Sequence, residues 1–206
     1  MERLVCLAVG YLFGIFQTGY IYGRVHGIDI RKYGSGNSGS TNALRVMGKK
    51  AGLTVFLGDF LKTVIPCMAV RFVFKDQPDY AYVYMLYIGL GVILGHNYPF
   101  YLHFKGGKGI AATIGLIMCL SVTVSPLIAA FSYGLGIIGV LIKGYVSMGS
   151  LMFVITVPFA CYFTGAGNEI TLVVSLMTVL AAYQHRANIE RIIHGNERSL
   201  YKKKQA

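Results

Sequence analysis

With 206 residues, 55% of them hydrophobic and only 13% charged, and a mean hydropathy of +0.58, the chain has too few polar side chains to cover a water-facing surface. An ordinary soluble domain is therefore excluded, and an integral membrane protein is expected. The net charge of +11 would suggest nucleic acid in a soluble protein, but in a membrane chain cations fix orientation and bind phosphates, so nucleic acid is set aside as a partner.

Residues 4–23 are apolar apart from Gln17 and Thr18 and end at Arg24, which reads as a first span that is retained and not cleaved. Residues 25–50 form a polar, basic joint. Its centre at 34–45, GSGNSGSTNALR, is built almost wholly from Gly, Ser, Thr and Asn. Glycines let amides turn toward one point, hydroxyls and side-chain amides add donors, and Arg31, Lys32 and Arg45 supply charge. Together these describe an anion site whose expected guest is a phosphate. A helix starting near Thr41 would add the positive end of its dipole.

Residues 51–74 read as a second span carrying Asp59 and Lys62, three apart on one helical face. Pairing lowers the cost of ions near the membrane, and a structural pair and a support for the anion site are both open readings. A polar turn at 75–79 leads to a tyrosine-rich third span over 80–98. It runs into a second joint, GHNYPFYLHFKGGKG at 95–109, in which Lys105 and Lys108 flank Gly106 and Gly107. Two cations beside a flexible backbone suit neutralisation of a phosphate ester.

Residues 110–124 and 127–142 are the fourth and fifth segments, divided at Ser125-Pro126. A third joint, KGYVSMGS at 143–150, precedes a sixth segment over 151–163 that is short for a crossing unless tilted or extended by its neighbours. Residues 169–183 make a seventh, and 184–206 a basic tail that begins as a continuation of that helix. Cys6, Cys67, Cys119 and Cys161 stand singly in apolar runs and read as packing residues, so no metal site is expected.

Seven crossings place the termini on opposite sides and all three joints on the side of the tail. That side carries 15 of the 19 lysines and arginines; Arg3, Arg71 and Lys75 lie opposite and Lys62 lies within a span. The positive-inside bias then gives an all-α membrane protein with seven transmembrane helices, N-terminus outside and C-terminus cytoplasmic, forming a single domain over residues 1–206. The joints meet on the cytoplasmic face as one composite site.

Several familiar chemistries are absent. Gly34, Gly36 and Gly39 spell GxGxxG, but a charged joint precedes them where a dinucleotide fold has a strand. FKGGKG lacks a hydroxyl after Lys108, so it is not a nucleotide phosphate loop. The HxxxxD acyltransferase pairing fails at Tyr101, five residues after His96. An organic-phosphate transporter is the alternative class, although such sites usually lie at the bilayer midplane between repeats, and no inverted repeat is visible.

In order along the chain, SGNSGSTNALR, GHNYPFYLHFKGGKG, VSMGS and HRANIERIIHGNE resemble the motifs of the PlsY-type glycerol-3-phosphate acyltransferases of bacterial inner membranes. The resemblance covers the whole chain. Ser40 stands where the first motif often has alanine, and Ser38 occupies its variable position. It implies acyl transfer from acyl phosphate to the 1-hydroxyl of glycerol 3-phosphate, giving lysophosphatidate and phosphate as the first acylation of phospholipid synthesis. The implied partners are acyl phosphate, glycerol 3-phosphate and membrane lipid, with no cofactor.

Mapped onto this chain, the resemblance implies catalytic roles for Ser35, Arg45, His96, Lys105, His185 and Asn188. It implies substrate binding by Gly36, Asn37, Gly39, Thr41, Asn42, Gly106, Gly107, Lys108, Ser147, Ser150 and Arg191. Because phosphate already leaves well, orientation and charge stabilisation matter more than a covalent intermediate. The base for the glycerol hydroxyl stays open among His96, His185 and a substrate phosphate oxygen. The acyl chain is expected among the apolar helices, entering sideways from the bilayer.

Overall fold

The computed structural model describes residues 1–201, and every regular element among them is helical. The lysines at 202–204, counted above with the tail, lie outside the described residues. All-helical architecture is thus as expected. Among the described residues, four stretches combine the length and hydropathy needed to cross a membrane, namely Glu2–Val25, Lys49–Val73, Pro126–Lys143 and Val146–Phe163, with Ile110–Thr123 a shorter apolar helix.

The first segment differs from the single span expected over 4–23. It is two helices, α1 (Glu2–Gly14) and α2 (Thr18–Val25), separated by an extended Gln17. Breaking a helix in an apolar setting exposes carbonyls that need donors. Lys62 supplies them: its ammonium donates to Gly14 O at 3.2 Å and Phe16 O at 2.6 Å. Gln17 and Lys62, unusual in apolar segments, are what make the break tolerable.

Next come α3 (Ser40–Met47), capped by Gly39, and the long α4 (Lys49–Val73). Pro66 lies within α4 and has no N–H to offer the Lys62 carbonyl four residues earlier, which loosens the helix where the buried ions sit. Then follow α5 (Pro78–Asn97) and α6 (Ile110–Thr123). These elements form one compact unit, Met1–Thr123. Small residues let α1 and α5 approach closely: a Cβ on Gly10 or Gly14 would strike the backbone of α5, and one on Gly91 or Gly95 that of α1.

A second compact unit begins at Val124 and holds α7 (Pro126–Lys143), α8 (Val146–Phe163), α9 (Asn168–Gln184) and α10 (Arg186–Ile193). Proline opens α7, and Gly144, at φ 69°, closes it in the left-handed region that glycine reaches at little cost. Gly136, Gly139 and Gly149 make the contact between α7 and α8. The third joint is much shorter than 143–150, because α8 already starts at Val146; Ser147 and Ser150 are helical, and the sixth segment is extended by these neighbours to 18 residues, one of the two alternatives expected. Its apolar face continues through VSMGS because Ser and Gly pack where a larger polar residue would not. The tail does begin helically, but His185 separates α10 from α9.

Candidate active site

In the first joint, Asn42 organises everything around it. Its Oδ1 accepts from Ser35 N at 2.8 Å, and its Nδ2 reaches the carbonyls of Ile30, Tyr33 and Asn37 at 3.2, 3.1 and 2.8 Å. Only 2% of Asn42 is exposed. Asn37 Oδ1 accepts from Gly39 N at 2.9 Å, and Gly36 N donates to Tyr33 O at 3.0 Å. The amides of Ser35, Gly36 and Gly39, expected to face a phosphate, are therefore engaged in shaping the turn. Its outward groups are the exposed Ser35 and Gly36 and the exposed Arg45 on α3, with Thr41 half-buried in the first turn of that helix.

The apolar side of the turn is fixed by Ile30, Ala43, Ala51 and Val55, all buried, with Tyr22 and Met47 packed against them. At its entry Arg31 grips Asp29, with Nε to Oδ1 at 3.0 Å and Nη2 to Oδ2 at 2.9 Å. The Arg31 hydrogen bond holds the Asp29 carboxyl below the usual carboxylate range and raises the guanidinium in turn. Replacing Asn42 would loosen the turn: Asn42→Ala strands the Ser35 N–H and the Asn37 carbonyl and takes a second donor from the carbonyls of Ile30 and Tyr33, each lost bond worth about 1 kcal/mol. Hydrogen exchange at the Ser35 amide is the measurement, with an acceleration of about tenfold or more expected.

The second joint hangs from the end of α5. Gly106 N donates to Asn97 O at 3.1 Å and Gly107 N to His96 O at 3.0 Å, so the backbone of the loop is fastened to two successive carbonyls. A Cβ on Gly107 would run into the imidazole Nε2 of His96, which only glycine avoids. Upstream, His103 and Phe104 both take left-handed conformations, φ 55° and 58°, a cost accepted where the chain doubles back to Pro99. Lys105 is exposed and Lys108 half-buried. Asn97 is 2% exposed, and neither side-chain polar atom has a hydrogen-bond partner.

His96 itself is 3% exposed and enclosed by a buried ion cluster. Lys62 Nζ lies 2.8 Å from its Nδ1 and 2.9 Å from Asp59 Oδ1, and Thr18 Oγ1 donates to the same carboxylate at 3.0 Å. Since an ammonium only donates, Nδ1 is the acceptor and the proton of the neutral ring sits on Nε2. This is the surroundings of a group that holds two segments together. It is unlike a base open to substrate.

In the second unit His185 is buried, and its Nδ1 pairs with Ala181 O at 2.8 Å. A carbonyl only accepts, so Nδ1 carries the proton and Nε2 is the basic nitrogen. Glu197 accepts from Asn188 Nδ2 at 3.0 Å and from Arg191 Nε at 2.9 Å, orienting both. Ser150 Oγ donates back to Val146 O at 2.8 Å, whereas Ser147 Oγ is buried without a partner. Gln17, Ser38, Asn97 and Glu197 are not among the site residues expected from the sequence. A glutamine inside an apolar segment and the lone carboxylate of the HGNE signature were the available signals.

The family model described as glycerol-3-phosphate acyltransferase matches residues 4–195. This chain belongs to the glycerol-3-phosphate acyltransferase family. Among its relatives, the glycerol-3-phosphate acyltransferase of Alkaliphilus metalliredigens is 39% identical and that of Clostridioides difficile 38%, each aligned over 98% of this chain and 98% and 97% of the relative. The crystal structure of the integral membrane glycerol 3-phosphate acyltransferase PlsY in its glycerol 3-phosphate form superposes with a TM-score of 0.86, at 33% identity over 98% of this chain and 96% of PlsY. Its lysophosphatidic acid form gives 0.83 at 32% identity. The chain is thus a PlsY-type glycerol-3-phosphate acyltransferase and an integral membrane protein, as the four motifs implied. Among the described residues there is no group of three or more His, Cys, Asp or Glu side chains arranged to hold a metal ion.

Proposed function

We propose that this acyltransferase takes its acyl chain from acyl phosphate and delivers it to the 1-hydroxyl of glycerol 3-phosphate, releasing lysophosphatidate and phosphate. The observation that carries the reading is the first joint: Asn42 locks the turn from behind while Ser35 and Arg45 stay exposed on it. Arg45 clamps one phosphate with its planar fork, and the hydroxyls of Ser35 and Thr41 complete the donors. Lys105 and Lys108, carried on the Gly106-Gly107 backbone, neutralise the second phosphate as it departs. Asn37, Gly39 and Asn42 serve binding by fixing the turn. Ser147, Ser150, His185, Asn188 and Arg191 are assigned to the same reaction, and residues 1–206 to one catalytic domain.

The base for the glycerol hydroxyl is one of two buried histidines or a substrate phosphate oxygen: Ala181 O orients the ring of His185, and Lys62 and Gly107 lie on either side of the ring of His96. A cavity of 480 Å³ between α1 and α4, lined by Leu12, Phe13, Phe16, Gly58, Leu61, Lys62 and Ile65, has the composition to take an alkyl chain from the bilayer. We further assign seven crossings of a bacterial inner membrane, counting α1 with α2 as one, with the N-terminus outside and the joints and C-terminus in the cytoplasm. The lysine and arginine distribution supports that orientation.

Purified protein in detergent, supplied with acyl phosphate and radiolabelled glycerol 3-phosphate, is expected to form lysophosphatidate and release phosphate without ATP, coenzyme A or added metal. Product only with acyl-coenzyme A would overturn the donor assignment. Uptake of label into vesicles with no product would overturn acyl transfer itself.

A further inference from the structure

The two anion-binding joints meet at a single carbonyl. His96 O accepts from Gly107 N of the second joint at 3.0 Å and from Gln17 Nε2 at 2.9 Å. The same glutamine, through Oε1, accepts from Ser38 Oγ of the first joint at 3.2 Å. All three partners are enclosed, with exposures of 1% for Gln17, 1% for Ser38 and 3% for His96. Ser38 is further seated by α2, since a Cβ on Gly19 would collide with the Ser38 carbonyl oxygen.

Both ends of this link are held still. Gln17 sits in the break between α1 and α2, and Lys62 pins that break by its bonds to Gly14 O and Phe16 O. The same ammonium contacts His96 Nδ1 and Asp59, so the histidine whose carbonyl anchors the loop cannot rotate independently of the break. A buried, fully bonded amide among apolar helices is costly unless its geometry matters, because a leucine or methionine there would need no partners.

We infer that Gln17 is a positioning residue that sets the separation of the two phosphate sites, through Ser38 on one side and the His96 carbonyl on the other. The inference rests on the two-phosphate reading above. Each joint binds its own substrate by its own side chains; Gln17 touches neither substrate and fixes only the distance between them. Losing it should therefore leave each binding step intact and slow the transfer, which depends on the alignment of hydroxyl and acyl carbon.

Gln17→Met keeps the length and removes all three side-chain hydrogen bonds, those to His96 O and Gly14 O and the one from Ser38 Oγ. Its kcat is expected to fall about thirtyfold, with KM for glycerol 3-phosphate and for acyl phosphate each changed by less than about threefold. Calorimetric titration with glycerol 3-phosphate supplies the fraction of competent protein, so that a loss of folded enzyme is not counted as a loss of kcat. Ser38→Ala removes one hydroxyl from a site that accommodates alanine; a severalfold fall in kcat is expected alone, and no further fall in the Gln17→Met background. Normal kcat in Ser38→Ala at full stoichiometry, additive effects in the double variant, or a loss confined to KM would each overturn the inference. If instead Arg45→Ala and Lys105→Ala act normally while Gln17→Met is slow, the two-phosphate reading has failed and the link has another purpose.

Discussion

Arg45→Ala is expected to lower kcat/KM for glycerol 3-phosphate by about 100-fold or more, the scale of losing a two-pronged, charge-assisted contact with a phosphate. The reason to expect so clean a loss lies in its position. Arg45 is exposed on α3, three residues beyond the Asn42 side chain that locks the turn, so removing its guanidinium leaves all the bonds of Asn42 in place. Alanine is also the better helix former, and α3 should persist. Arg45→Lys restores the charge but not the fork, and is expected to recover only part of the activity. Steady-state kinetics at varied glycerol 3-phosphate, with circular dichroism to follow helix content, is the measurement. Activity within threefold of wild type would take Arg45 out of the site.

Composition and charge made the class and the motifs legible, because lipid solvation and phosphate chemistry each demand particular residue types over short stretches. The start of α3 could be placed within a residue, since Ser and Thr followed by Asn-Ala-Leu read directly as a helix entry. What could not be read was which donors face outward. Nine small polar residues in a row look alike in sequence, and only the fold reveals that Asn42 and Asn37 bond to the backbone while Ser35 does not turn its hydroxyl inward. The break at Gln17 was hidden for a related reason. Its stabilising donor, Lys62, lies 45 residues away in sequence, and helix periodicity carries no record of so distant a partner. His96 was equally ambiguous, as a histidine beside a loop of glycines and lysines reads as a base, and the sequence does not show that Lys62 and Gly107 lie on either side of its ring.

Gly107→Ala tests that last point and should be strongly damaging for a change of one methyl. The new Cβ would occupy the place of His96 Nε2, and the ring cannot swing aside: it is 3% exposed and its Nδ1 is bonded to Lys62 at 2.8 Å. The loop must lift instead, breaking the 3.0 Å bond from Gly107 N to His96 O and carrying Lys105 and Lys108 away from the phosphate they are proposed to neutralise. A displacement of about 1 Å in a positioned group costs on the order of 100-fold in rate, and that is the expected fall in kcat/KM. Gly134→Ala, on α7 with nothing within 4 Å of its new methyl, is the control and should leave activity unchanged. The cause can be isolated with His96→Ala, which clears the space: Gly107→Ala should cost far less in that background than in the wild type. Equal costs in the two backgrounds would mean that the collision with His96 is not what makes glycine necessary, and that Gly107 is needed for the approach of substrate itself.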